Sequence, residues 1–402
     1  MEEILKKYNQ KNILEIYNKL DEENKEKLKQ ELLKIDFEKI AKIYKEDLKI
    51  EKDATIEPID NVFIRDNFSQ DEKEELRKIG EDIFKSEQYA VITMAGGQGT
   101  RLGHKGPKGT YMLDLKTGQK SIFEVLIDNL KDVYKKYNVY IPWYIMTSKE
   151  NNDETVMFFE SNNYFEYGKE NVHFFKQDEL PMVGLDGNVI LEAKDKIKLA
   201  ANGNGGVFES IITNNILDEL IKKGIEWVYI SGVDNILANF VDEEFVGLLS
   251  KNNFKVGSKT VLKNYPDEKV GVFCKKNSKV EVVEYIELSE KLKNMRKDNG
   301  ELLYSEANIV SNLFNIEFLN NLQNLQMPYH KAIKKCMALD VDGNICEVDA
   351  YKYELFIFDV FRLADKVGIL RVNREDEFAP IKNKEGQDSS GTAIEMYNKK
   401  LK

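Results

Sequence analysis

From about residue 85 onward, short segments that are apolar at nearly every position alternate with segments of helical period. Tyr89–Met94 runs into a glycine cluster and then a helical stretch over 122–137. The apolar runs 142–146, 172–175 and 227–231 are followed by helical stretches over 154–162, 210–223 and 240–252. A strand that is apolar on both faces must be covered on both faces, which a mostly parallel sheet flanked by helices provides. The alternation therefore predicts an open α/β fold. It also directs attention to the polar segments just after each strand, because such sheets bind ligands outside the carboxyl ends of their strands. After residue 256 the pattern is mixed: 280–286 alternates like a strand, 353–364 has helical period, and 367–373 reads as a strand.

The first 50 residues are patterned differently. Ile4, Leu5, Tyr8, Ile13, Leu14, Tyr17 and Leu20 recur at three- and four-residue steps. Asp21 and Asp36 suit the N-caps of two further helices, one carrying Leu28, Leu32 and Leu33, the other Ile40, Ile43 and Tyr44. The expected organisation is a helical N-terminal subdomain over 1–80, a catalytic domain over 81–383 and a short tail over 384–402. A net charge of −11 argues against a protein that coats nucleic acid or an anionic membrane. The apolar runs are too short to span a bilayer, and the first residues lack a basic segment followed by an apolar one, so a cytoplasmic setting is expected. Three cysteines without a CxxC pair and three histidines without HExxH spacing argue against a disulfide framework and a Cys/His zinc site.

The segment after Met94 is Ala95-Gly-Gly-Gln-Gly-Thr-Arg-Leu-Gly103, followed by Gly106-Pro107-Lys108-Gly109. Glycines let a loop wrap closely round a nucleotide and turn backbone N–H groups towards phosphates. No Gly-Lys-Ser/Thr completes a P-loop, and Leu102 stands where GxGxxG needs its last glycine. Arg101 and Lys108 beside the loop suit a triphosphate whose charge is neutralised during reaction. Asp234, after the strand 227–231, is placed to hold Mg²⁺ by one carboxylate while phosphates and water complete the shell. Gln177 follows another strand and carries an amide able to read a pyrimidine edge. Each of these residues also has an ordinary reading, as a turn, a cap or a surface group.

The glycine segment with Pro107-Lys108-Gly109 resembles the signature of the UDP-sugar pyrophosphorylases, most nearly the UDP-N-acetylhexosamine members. The resemblance continues in order through Gln177 with Leu180-Pro181, Gly203-Asn204-Gly205-Gly206, Gly232-Val-Asp234-Asn235, Glu284-Tyr285, Asn308-Ile309, and Arg374 to Phe378 with Pro380 and Lys382. It implies a Rossmann-like sheet of the nucleotide-diphospho-sugar transferase type. It also implies UTP and a sugar 1-phosphate as substrates and Mg²⁺ as cofactor. Ala95, Gly96, Gly97, Gln98, Gly99, Thr100, Gln177 and Gly203 would bind the nucleotide. Asn204, Gly232, Glu284 and Asn308 would surround the sugar, Asp234 would hold the metal, and Arg101, Lys108 and Lys382 would neutralise phosphate charge. Asn204-Gly205-Gly206 favours an N-acetylhexosamine member over the glucose type, so the expected product is UDP-N-acetylglucosamine. A glucose- or galactose-specific enzyme of the same fold is the nearest alternative. A non-catalytic sugar-nucleotide regulator and an NAD-dependent oxidoreductase are more distant ones. Asn202 stands where relatives often have Asp, the N-terminal helices match only loosely, and the tail lies where longer relatives carry a further domain. Whether the protein is a monomer or a dimer is left open.

Overall fold

A computed structural model of the chain describes residues 1–46, 56–324 and 327–401. They form two compact units. One comprises the described parts of Met1–Asp53, Asp178–Gly206 and Met327–Phe356; the other, the described parts of Ala54–Gln177, Val207–Gln326 and Ile357–Lys402.

The second unit is built on a large sheet. Its main strands are β1 (Val62–Ile64), β2 (Tyr89–Met94), β3 (Trp143–Thr147), β4 (Val172–Lys176), β5 (Trp227–Gly232), β6 (Val256–Leu262), β7 (Val272–Lys276), β8 (Lys279–Val283), β9 (Glu306–Asn315) and β10 (Gly368–Arg371). They lie in the order β1-β10-β6-β9-β5-β2-β3-β4, with β7 and β8 branching from β9. Along that path every pair is parallel except the two made by β9, which runs antiparallel to β6 and β5. The expected mostly parallel α/β sheet is therefore present. From β2 the chain steps outward through β3 to β4, then returns to lay β5 on the other side of β2. That reversal makes a switch point between β2 and β5, where the loops after the two strands diverge.

Burial explains the strands. All of β2 and β3 is buried, and the Trp143 indole N–H donates to Thr93 Oγ1 at 2.8 Å. The helix Ile122–Tyr137 agrees with its sequence prediction. Ser121 caps it by accepting the Glu124 N–H, its buried face is Ile122, Phe123, Leu126 and Leu130, and it stops at Asn138 in the left-handed conformation. Two expectations are corrected. The stretch 210–223 is two helices, Val207–Thr213 and Ile216–Lys222, broken where Asn215 takes φ 59°. The stretch 353–364 is not one helix: Tyr353 and Glu354 end the strand Ile345–Glu354, whose ladder with His330–Leu339 claims them, and a 3₁₀ segment follows over Ile357–Leu363.

The first unit holds the helices Glu2–Lys7, Lys11–Lys19, Glu22–Leu32 and Phe37–Lys45. Asp21 and Asp36 cap the last two, accepting from Asn24 N–H and Lys39 N–H; residues 47–50 of the expected helical region lie outside the described residues. Leu28, Leu32, Ile40 and Ile43 pack with Val183, Val189, Ile197 and Tyr353. The units thus divide the chain differently from a cut at residue 80. Residues 62–80 supply β1 and most of the helix Gln70–Lys85 to the sheet unit, whereas Asp178–Gly206 and Met327–Phe356 leave the expected 81–383 stretch to complete the core of the N-terminal helices. No helix among the described residues is long and apolar enough to cross a membrane.

One buried charge cluster ties the sheet unit together. Lys259 on β6 is fully buried, with Nζ 2.6 Å from Asp242 Oδ2 and 2.5 Å from Glu377 Oε2. Arg65 also pairs with Asp242, with Glu377 at 2.6 Å and with Glu244 at 3.3 Å, and Arg77 reaches Glu244 at 2.7 Å. Although burial opposes its charge, Arg65 and Lys259 hold the Asp242 carboxyl far below the usual range. A depressed carboxyl contributes stability that is complete above about pH 4 and drains away as the pH falls towards the folded value. Lys259→Met leaves two buried carboxylates short of a cation and should cost about 3–5 kcal/mol in urea unfolding at pH 7. The penalty should shrink below about pH 4, where protonation relieves the carboxylates.

Candidate active site

The site begins where β2 ends. Ala95 N–H donates to Met146 O at 2.7 Å, the last rung towards β3, and the chain then leaves the sheet. Gly99 N–H bonds Gly106 O at 2.9 Å and Lys108 N–H bonds Gly97 O at 3.1 Å, so residues 97–99 and 106–108 close the loop as a short antiparallel pair. Arg101 projects from its exposed tip and Lys108 lies on its return. The amides of Gly96, Gly97 and Gln98 meet no acceptor among the described residues. Three successive N–H groups at a strand's carboxyl end are thus left to be satisfied by solvent or a ligand. His104, given no role from sequence, braces the loop: its Nε2 lies 2.8 Å from Thr110 Oγ1 and its ring packs edge-on against Tyr111.

Gln177 follows β4, its N–H bonded to Thr147 O at 2.7 Å. Its side chain lies against the glycine loop so closely that a Cβ on Gly96 would sit 3.0 Å from Oε1. Beyond β5 comes Asp234, whose Oδ1 would be 2.7 Å from a Cβ on Gly232. The Asp234 segment is zipped to residues 377–381. Ile381 N–H donates to Asp234 O at 2.9 Å, Asn235 Nδ2 to Glu377 O at 2.7 Å, and Ala379 N–H to Asn235 Oδ1 at 2.9 Å. The zipper delivers Lys382 to the same region.

The three expected cations share one field. Lys108 Nζ is 4.0 Å from Asp234 Oδ2. Burial lowers the Lys108 pKa, and Lys382 and Arg101 lower it further, while Asp234 opposes them. Lys382 Nζ lies 3.4 Å from Asp388 Oδ2 and 5.8 Å from the Phe378 ring centroid.

A second group lies beside β7 and β9. Asn308 N–H donates to Gly271 O at 2.9 Å, and a Cβ on Gly271 would be 3.1 Å from Glu284 Oε1, so Glu284 and Asn308 flank the same backbone. The Asn308 side chain accepts Val310 N–H at 3.0 Å, and Val310 is held at φ 53° where the β6–β9 register shifts. A β-branched residue in that conformation is strained, and such strain gathers at functional sites. Gly203 and Asn204 belong to the first unit. There Gly203 takes φ 84°, Leu355 N–H bonds Asn202 O at 2.7 Å, and Gly205 N–H bonds Leu355 O at 2.8 Å. Asn202 is fully buried against Gly206.

Sequence reasoning quoted Asn235 only within an ordered set of motifs and missed its role as the latch between the two chain segments, and it missed Asn151, which lies fully buried under the glycine loop, altogether. Neither side chain is marked by a motif of its own. Among the described residues no three His, Cys, Asp or Glu side chains gather as a metal cage. A cavity of about 600 Å³ in the first unit, lined by Ile13, Val189, Leu339 and Asp340 among others, has no Lys or Arg with which to hold phosphates.

An α/β sheet with a cationic glycine loop at its switch point defines a nucleotide-binding protein of the Rossmann-like class. A family model described as UTP--glucose-1-phosphate uridylyltransferase matches residues 25–388, and the chain belongs to that family. It is 37% identical over 335 residues to the human UDP-N-acetylhexosamine pyrophosphorylase-like protein 1, a match covering 80% of this chain and 66% of that relative. It is 32% identical over 407 residues to UDP-N-acetylglucosamine diphosphorylase 2 of Arabidopsis thaliana, covering 96% of this chain and 80% of the relative. The crystal structure of the uridine diphosphate N-acetylglucosamine pyrophosphorylase from Trypanosoma brucei, in complex with inhibitor, superposes with a TM-score of 0.85 at 32% identity, covering 98% of this chain and 83% of that one.

The charge geometry is testable without substrate. Asp234→Asn removes the group that raises the Lys108 pKa, so Lys108 should titrate lower still. The pH dependence of acetic anhydride labelling at Lys108, followed by mass spectrometry, should move to lower pH in the variant.

Proposed function

We propose that the chain is a uridylyltransferase that makes UDP-N-acetylglucosamine and pyrophosphate from UTP and N-acetylglucosamine 1-phosphate. The carrying observation is the common field of Arg101, Lys108 and Lys382 beside Asp234. A cluster of three cations at a glycine loop suits a triphosphate and a leaving pyrophosphate. The family match and the names of the similar proteins support the substrate pair.

In this mechanism the sugar 1-phosphate oxygen attacks the α-phosphorus of UTP in line, and the bond to the β-phosphate oxygen breaks. The attacking phosphate is already ionised near pH 7, its second pKa being about 6, so no general base is required. The histidine nearest the loop is engaged with Thr110, which accords with that chemistry. Amides of Gly96, Gly97 and Gln98 would hold phosphate oxygens, with Ala95, Gly99 and Thr100 shaping the loop, and Gln177 would face the uracil edge. Arg101, Lys108 and Lys382 would neutralise the charge that develops on the departing pyrophosphate. Glu284, Asn308 and Gly232 would line the sugar.

Mg²⁺ belongs to the same proposal. A lone carboxylate beside a phosphate site fits an ion that keeps several waters and takes its other ligands from substrate phosphates. Asp234 would hold it. Bound there, the ion would neutralise phosphate charge and orient the oxygens for displacement. The cytoplasmic setting expected from sequence is retained. A glucose or galactose 1-phosphate specificity on the same fold is the second reading, favoured by the family description.

The test is a panel of sugar 1-phosphates with UTP and Mg²⁺, scored by pyrophosphate release. N-acetylglucosamine 1-phosphate should give the highest kcat/KM; preference for glucose 1-phosphate would favour the second reading, and silence with every sugar would end the proposal. Arg101→Ala, Lys108→Ala and Lys382→Ala should each lower kcat by roughly 10²–10³-fold with folding retained by circular dichroism. Asp234→Asn should raise the Mg²⁺ concentration that gives half-maximal turnover about tenfold or more, measured by pyrophosphate release at fixed UTP.

A further inference from the structure

Asn151 stands immediately before the helix Asn152–Ser161, where an asparagine ordinarily caps the helix with its side chain. Here it makes no such bond. Its side chain is fully buried and turned into the glycine loop instead. Nδ2 donates to Ala95 O at 3.0 Å and to Gly97 O at 3.4 Å. Oδ1 accepts Ser148 N–H at 2.8 Å, and Asn151 N–H returns a bond to Ser148 Oγ at 3.2 Å. One amide thereby joins the loop after β2 to the loop after β3. Its two Nδ2 contacts fall on carbonyls that bracket Gly96.

The position matters because of what those carbonyls control. A peptide unit is planar, so fixing the Ala95 carbonyl fixes the direction of the Gly96 N–H, and fixing the Gly97 carbonyl fixes that of Gln98. Those amides belong to the set that meets no acceptor among the described residues. With glycine at 96 and 97, little else restrains these peptides. Gly97 has nothing within 4 Å of where its Cβ would stand. The Lys108 N–H also bonds Gly97 O, at 3.1 Å.

We propose that Asn151 is a positioning residue for the nucleotide: its carboxamide locks the peptides 95–96 and 97–98 so that their N–H groups point at the phosphates of UTP. It rests on the uridylyl-transfer reading above, but it concerns nucleotide binding, which can be measured without turnover. Asn151 touches no substrate in this scheme and acts through the loop. Losing the Nδ2 donor frees the Ala95 carbonyl and leaves the Gly97 carbonyl with its Lys108 bond alone, so the peptides are held less firmly; this weakens UTP and leaves the sugar 1-phosphate, held by other residues, unaffected.

The experiment compares wild type, Asn151→Ala and Asn151→Asp. The second variant is isosteric, keeps an acceptor for Ser148 N–H and, while ionised, has no donor for the two carbonyls; it is measured at pH 7 and again at pH 9, because burial favours the protonated acid, whose O–H could donate. UTP binding is measured by calorimetry, and KM for UTP and for N-acetylglucosamine 1-phosphate by pyrophosphate release. The expected result is at least a tenfold weaker Kd and higher KM for UTP in both variants. KM for the sugar 1-phosphate at saturating UTP should stay within twofold, and the melting temperature without ligand should stay within a few degrees. UTP affinity within twofold of wild type in either folded variant overturns the proposal. So does a parallel rise of both KM values with a lowered melting temperature, which would mark a merely structural role. Should Asn151→Ala fail to fold, Asn151→Asp decides alone. Failure of the underlying reading is separately visible, since the wild type itself would then release no pyrophosphate from UTP.

Discussion

The pairing of Lys259 with Asp242 and Glu377, completed by Arg65, is the constraint on which the rest of the sheet unit depends. It joins four distant pieces of chain: the segment leading from β1, the central strand β6, the cap of the helix Glu243–Lys251, and the turn at Glu377. Glu377 also hands on its position. Its carbonyl is gripped by Asn235, the residues after it zip against Asp234, and Lys382 follows. A buried ion cluster of this kind adds little net stability beyond what apolar packing would give, because desolvation offsets the attraction. Its value is geometric. It fixes where a late segment of the chain meets the end of β5.

That arrangement reconciles an acidic protein with a polyanionic ligand. The chain carries a formal charge of −11, yet Arg101, Lys108 and Lys382 lie close enough for the other two to depress the Lys108 pKa. Concentrating like charges in this way is unfavourable in the free protein. Asp234 beside Lys108 and Asp388 beside Lys382 offset part of that cost. Each of the two lysines thus keeps a carboxylate beside it in the free protein.

Much of this was legible in the sequence. β2 and the helix Ile122–Tyr137 were readable because the first is apolar at every position but Thr93, with the second carrying a helical apolar stripe and a serine cap. β9 was not. It hides Asn308, Ser311 and Asn312 in a buried strand, and Ser311 and Asn312 find partners in Tyr229 and Ser258 that only the folded sheet supplies. The gathering of Arg101, Lys108, Asp234 and Lys382 could be anticipated from an ordered set of motifs. The latches that hold them could not. Asn235 and Asn151 act by bonding backbone groups far off in sequence, and such bonds leave no periodicity or spacing to read. The division of the chain was misjudged for a similar reason, since nothing local marks Asp178–Gly206 or Met327–Phe356 as partners of the N-terminal helices.

That interleaving bears on how the protein is made. The N-terminal helices leave the ribosome first, but their core includes Tyr353 and Leu339. At roughly 5–20 residues per second, tens of seconds separate the two. Throughout that interval the apolar faces of short helices, marginal by themselves in water, have no completed surface to cover them. These helices, made well before their partners, are therefore among the last elements able to finish folding. Chaperone demand during synthesis would fall on its beginning and would end only when the hairpin near residue 350 emerges.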